Sequence, residues 1–278
     1  MAWEPSHAER HPLSSRRANT LFAILVGVAF MASLAWISRF RYLLFHGLAE
    51  LVSVCVAWSV FALAWSSRRY RTEDNGYLLV IGVASFFVGG LDLVHTLAYR
   101  GMGVFPDYDA NLPTQLWITS RYLLSLSLLA ASLLLYAPPA SMLQGRYAPH
   151  LLVLGYAIAT GFVLWLSFAR IFPPCYIEGV GLTPFKRISE YIVSAVLLAA
   201  MALLWRQRAR LERDVVQWLL IGFAATIAAE LAFTLYLDVY DFANMFGHLL
   251  KAASLGAVYR AIVITGIERP QALLFRAL

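Results

Sequence analysis

Eleven ionisable side chains fall inside long apolar stretches of this 278-residue chain, and several recur at helical spacing. His46 and Glu50 are four apart, while Asp92 and His95 are three apart with Thr96 and Tyr99 continuing their face. His248 and Lys251 are three apart, and Glu230 shares a face with Thr234. Residues three or four apart on a helix point the same way, so each pair is a two-residue polar patch. Imidazoles combined with carboxylates are ligands for zinc, iron, copper or nickel. That chemistry makes His46, His95 and His248 candidate metal ligands. Glu50, Asp92, Tyr99, Arg121, Glu190, Glu230 and Lys251 are candidate ligand-binding groups around them. Haem held between two of the histidines is a second option, and a small anion held by Arg121 and Lys251 a third. Neither pair is diagnostic of a metal on its own. A purely structural reading competes with all three: Glu50, Asp92, Glu190 and Glu230 nearly balance Arg121, Arg170 and Lys251, as in a self-neutralising network. Three histidines at one level favour a pocket.

The chain that must position these groups is 60% hydrophobic and 14% charged, against about 25% charged in a soluble domain. Its mean hydropathy is +0.67. These values exclude a disordered chain, a disulfide-stapled secreted domain and an ordinary cytosolic enzyme. The net charge of +6 does not point to nucleic acid, because the basic residues flank apolar runs and there set topology. Cys55 reads as a small buried residue and Cys175 as a loop thiol, too far apart in depth to bridge.

A spanning helix needs about 20 mostly apolar residues. Eight runs qualify, at 19–38, 42–65, 76–99, 116–136, 151–172, 189–205, 215–237 and 247–267. The expected fold is all-α: a polytopic membrane bundle of eight transmembrane helices with both termini cytoplasmic. Residues 1–18 form a cytoplasmic tail, 19–267 the membrane unit and 268–278 a cytoplasmic exit segment. Thirteen Lys and Arg residues fall on the inner side of this topology and five on the outer, as the positive-inside rule requires. The N-terminus lacks the features of a cleavable signal. The expected location is a bacterial inner membrane, crossed several times and in contact with lipid. At about 1.5 Å per residue from each outer end, Glu50 lies roughly 12 Å deep. Asp92 and Glu230 come out at about 10 Å, Arg121 at about 8 Å, and His46, His95 and Lys251 at about 6 Å. Only Arg260 falls in the inner half. The outer segments 100–115 and 173–188 carry Gly, Pro and apolar residues, as ordered loops able to cover a pocket do. Trp36, Tyr42, Trp65, Tyr99, Trp117 and Trp205 sit near run ends, where aromatic residues anchor the membrane interface. Phosphate loops, nucleophile elbows, HExxH and dinucleotide fingerprints are missing, so no catalytic residue is assigned.

Six stretches resemble a bacterial signalling family, the membrane-associated sensor domain of the third type. They are FHGLAELVSVCVAW at 45–58, GGLDLVHTLAYRGMGVF at 89–105, NLPTQLWITSRYL at 111–123, EGVGLTPFKRISEYI at 178–192, ELAFTLY at 230–236 and GHLLKAAS at 247–254. The final ERPQALLFRAL looks like the family's exit from the membrane. The resemblance covers roughly 40–278 and carries over His46, Glu50, Asp92, His95, Tyr99, Arg121, Glu190, Glu230, His248 and Lys251. It implies a sensory input domain that relays to a cytoplasmic histidine kinase, PAS or diguanylate cyclase module, in two-component or cyclic di-GMP signalling. Such outputs work as dimers, so a homodimer is expected. The sequence stops at Leu278, ahead of any such module, which places the output on a longer chain or on a separate partner. Two other classes stay open: a small-solute or ion transporter or channel, and a membrane-embedded metalloenzyme with Glu50 or Glu230 as base.

Overall fold

The computed structural model describes residues 12–68, 76–136, 145, 147–235, 240–264 and 267. Eight long helices are present among them: α1 Pro12–Ser38, α2 Tyr42–Ser67, α3 Gly76–Ala98, α4 Asn111–Leu134, α5 Ala148–Phe168, α6 Pro184–Arg206, α7 Arg213–Ala232 and α8 Phe242–Val263. A two-stranded hairpin, β1 Tyr176–Ile177 with β2 Gly181–Leu182, precedes α6. Six helices, α2 to α7, are each long and apolar enough to cross a membrane. The apolar described part of α1 is only Leu25–Ser38, and α8, with Lys251 and Arg260, is not apolar enough. The all-α multi-pass architecture thus holds, with six rather than eight spans standing on length and composition.

Helix ends differ from the apolar runs in a consistent way. α4, α6 and α8 start at 111, 184 and 242, each five residues before its run. α6 and α8 start at polar caps, whereas the N-cap of α4 is Ala110. The Thr183 hydroxyl accepts from the Lys186 N–H with Pro184 opening the helix, and the Asp241 carboxylate accepts from the Asn244 N–H at 2.9 Å. α1 begins at Pro12, inside the stretch expected as a tail. The exit segment 268–278 lies outside the described residues.

Six helices close into a ring in the order α2, α3, α4, α6, α7, α8 and back to α2. α1 leans on α2 and α8 from outside, and α5 on α3 and α4. On α5, Leu151, Leu154, Ile158, Phe162 and Trp165 are exposed at three- or four-residue spacing, a stripe suited to lipid. Where α7 meets α8, Gly247 lies against the Phe233 ring, leaving no room for a Cβ. The half of the ring away from the β1–β2 hairpin is filled by apolar side chains, among them Val60, Leu78, Leu128, Leu197, Leu219 and Ile262.

The outer loops are ordered. The Asn111 side-chain oxygen accepts from the Cys175 and Tyr176 N–H groups at 2.7 and 3.0 Å. Gln115 Nε2 donates to the Phe172 and Pro173 carbonyls, and Tyr108 donates to the Phe168 carbonyl. Several readings change here. Cys55 is exposed on the outer surface of α2, and Cys175 is the buried cysteine. Its burial pushes the thiol up to about 12. Tyr99 and Trp117, expected as interface anchors, are 5% and 4% exposed and belong to the interior. Amphipathic aromatics end up inside when a polar partner is available there for the ring's N–H or O–H.

Candidate functional site

Each of the six ring helices sends ionisable side chains to one enclosed region, and among the described residues the two outer helices send none. α2 supplies His46 and Glu50, α3 Asp92 and His95, α4 Arg121, α6 Lys186 and Glu190, α7 Glu230, and α8 His248 and Lys251. All ten are buried. Repeats at i, i+3 or i, i+4 keep both members of each pair on the inward stripe of their helix.

Four of these groups form a cage. His46, Glu50, His95 and His248 each present one ligand atom, all within 4.8 Å of one another. The His95 Nδ1–H donates to the Pro113 carbonyl at 2.7 Å. That bond leaves Nε2 as the lone-pair nitrogen, and Nε2 is buried with no hydrogen-bond partner among the described residues. Both ring nitrogens of His46 are likewise buried and unpartnered. Its ring is stacked on Tyr99 at 3.6 Å and stands 4.7 Å from the His248 ring and 5.4 Å from the His95 ring. Tyr99 is fixed in turn by Asn244, which donates to its hydroxyl at 2.9 Å. The His248 Nδ1–H donates to Glu50 Oε1 at 2.8 Å. Four donors bound to one ion at about 2.1 Å stand about 3.4 Å apart, so the cage closes by side-chain shifts under about 1 Å each.

Ion pairs surround the cage. Lys251 Nζ lies 2.5 Å from Glu50 Oε2 and 2.7 Å from Asp92 Oδ2. Arg121 Nη2 donates to both Asp92 oxygens at 2.7 and 2.9 Å, and Ser120 donates to Oδ1 at 2.7 Å. Across the ring, Lys186 Nζ pairs with Glu190 Oε1 at 2.6 Å and donates to the Phe233 carbonyl at 2.7 Å. The Trp117 indole N–H donates to the same Glu190 oxygen at 3.2 Å, and its ring lies beneath both Arg121 and Lys251. Glu230 faces Glu190, carboxyl to carboxyl, and no cation is paired with it among the described residues. Four buried carboxyl groups thus meet three buried cations.

The third cation is Lys186, not Arg170. Arg170 is exposed in the outer loop, where its guanidinium donates to the Asp107 carbonyl above the Tyr108 ring. Lys186 sat outside the apolar runs because α6 starts earlier than hydropathy shows. Its four-residue spacing to Glu190 was the available signal. Ser120, Trp117 and Asn244 were also missed as network members. They are ordinary residues in such helices, and only the packing reveals their partners. A small cavity of ≈ 20 Å³, room for a water-sized occupant, lies beside the cage among His95, Tyr99, Trp117, Lys186, Asn244 and His248. Arg100, at the outer end of α3, lines it too.

No curated protein and no solved structure gives a significant match to the chain. The family model of the membrane-associated sensor domain MASE3 matches residues 37–270, which takes in the whole ring and every side chain of the buried polar core. On that match the chain belongs to the MASE3 family of membrane-associated sensor domains.

Proposed function

We propose that this sensor domain detects a transition-metal ion in the outer half of the bundle, holding it with His46, His95, His248 and Glu50. Glu50, Asp92, Tyr99, Arg121, Glu190, Glu230 and Lys251 shape and charge the surroundings of that site. The unpartnered buried nitrogens of His46 and His95 carry the reading. Leaving a buried polar group unsatisfied costs about 1–3 kcal/mol, and here three such atoms belong to two histidines, each of which offers one ring nitrogen to the cage. Imidazole nitrogens with one carboxylate suit zinc, iron or copper. The His95–Pro113 bond is the kind of outer contact that sets the tautomer of a metal-binding histidine. Haem is disfavoured by space, because a cavity of ≈ 20 Å³ leaves no place for a macrocycle.

Binding would draw α2, α3 and α8 toward one another, since each contributes a ligand. α8 runs from the cage toward the cytoplasmic side and ends at Val263, so it is the natural carrier of the signal to a histidine kinase or diguanylate cyclase, acting as a dimer. The apolar filling of the inner half supports sensing over transport, because a transport path needs polar groups across both leaflets. Elemental analysis of the purified protein tests the site: about one equivalent of a single transition metal is expected, and none in His46→Ala or His95→Ala. In a fusion to an output domain, either variant should abolish the metal response while the bundle still folds. Metal content equal in wild type and both variants would overturn the proposal, and solute flux in proteoliposomes would redirect it to transport.

A further inference from the structure

From the contacts of Lys251 we infer that its ammonium is a built-in competitor for the ion, occupying Glu50 until an ion takes that carboxylate over. This rests on the metal reading above and adds what regulates that site.

Lys251 Nζ bridges Glu50 Oε2 and Asp92 Oδ2 at 2.5 and 2.7 Å, so one of the four cage residues is already neutralised by a cation of the protein itself. A divalent ion and an ammonium on the same carboxylate repel strongly in a buried site. Entry of the ion therefore expels the ammonium. Asp92 is a poor sole destination, because Arg121 already binds both of its oxygens. A better destination exists. Lys251 and Glu230 line one small cavity of ≈ 20 Å³, together with Arg121, Ser85, Thr226 and Ser254. Glu230 is paired with no ammonium or guanidinium among the described residues; its carboxyl meets only that of Glu190. The ammonium swings from Glu50 to Glu230 and stays protonated throughout. His248 stands one turn from Lys251 on α8. Ion capture thus pulls one turn of α8 toward α2 and releases the next toward α7.

Titration of the purified full chain with Co²⁺, read by its visible ligand-field absorption, tests this. Lys251→Met removes the competitor and should tighten Co²⁺ binding about tenfold or more. Glu230→Gln leaves the Lys251–Glu50 pair intact and removes the destination, so it should weaken binding several-fold. Equal or weaker binding by Lys251→Met, when it folds, would show that Lys251 merely supports Glu50 and would overturn the inference. Where Lys251→Met does not fold, Glu230→Gln decides, and unchanged or tighter binding overturns it. Failure of the underlying site is distinguishable: wild type would then give no Co²⁺ spectrum, or one that His46→Ala leaves unchanged.

Discussion

The Nδ1–H of His95 donates to the backbone carbonyl of Pro113 across 2.7 Å, and this bond between α3 and the first turn of α4 decides which ring nitrogen the cage receives. Pro113 sits in the first turn, where a residue without an N–H does no harm to the helix. The consequence is a histidine whose tautomer and ring orientation are set before any ion arrives.

His95→Gln should therefore keep the fold and lose the site. The expected result is metal affinity lower by about tenfold or more, with thermal unfolding nearly unchanged. Isothermal titration alongside a melting curve separates the two effects.

Arg121 and Asp92 form a buried pair whose partners are not interchangeable. Arg121→Met leaves Asp92 with Lys251 and Ser120 alone and should destabilise the bundle by about 3–5 kcal/mol. Adding Asp92→Leu removes the uncompensated carboxylate, and the double variant should recover more than half of that loss. Unfolding of both in detergent, compared as a double-mutant cycle, checks the coupling.

Trp117 stands 5.6 Å from the His95 ring and 5.5 Å from the His248 ring, centroid to centroid. A paramagnetic ion in the cage should quench its fluorescence. Trp117→Phe keeps the aromatic packing and should abolish the ion-dependent part of the quenching. The seven other tryptophans supply the unquenched background.

Asn111 pins the outer hairpin by accepting from two backbone N–H groups. Asn111→Ala should cost about 1 kcal/mol per lost bond and open the loop over Cys175. In a Cys55→Ala background, maleimide labelling of Cys175 near neutral pH should be slow in the wild-type loop, because the thiol is buried and pushed up to about 12. It should accelerate in Asn111→Ala. The same shift sets a pH dependence. A folded-state value raised above the ordinary 9.0 keeps its stabilising contribution below pH 9 and loses it as pH climbs toward 12. Alkaline unfolding curves of wild type and Cys175→Ala should diverge only in that window.

Much of this architecture was legible in the residues. Runs of apolar side chains as long as a bilayer is thick leave the backbone no choice but helix, since every N–H and C=O must be satisfied within its own segment. The cost of burying charge in hydrocarbon picks out the same positions: His46, Glu50, Asp92, His95, Arg121, Glu190, Glu230, His248 and Lys251 stand out because nothing but a shared interior explains them. Where α6 and α8 begin was less legible, because hydropathy marks the membrane while the polar caps Thr183 and Asp241 mark the helix end.

Partnership between helices was not legible. That six helices close around these groups while α1 and α5 stay outside follows from side-chain packing between segments far apart in the chain. So do the burial of Trp117 against Glu190 and the meeting of the Glu230 and Glu190 carboxyls. Local composition decides that a side chain must leave the lipid. Only the three-dimensional arrangement of neighbouring helices decides which opposite charge, carbonyl or vacant nitrogen it meets there, because those distances depend on residues tens to hundreds of positions away.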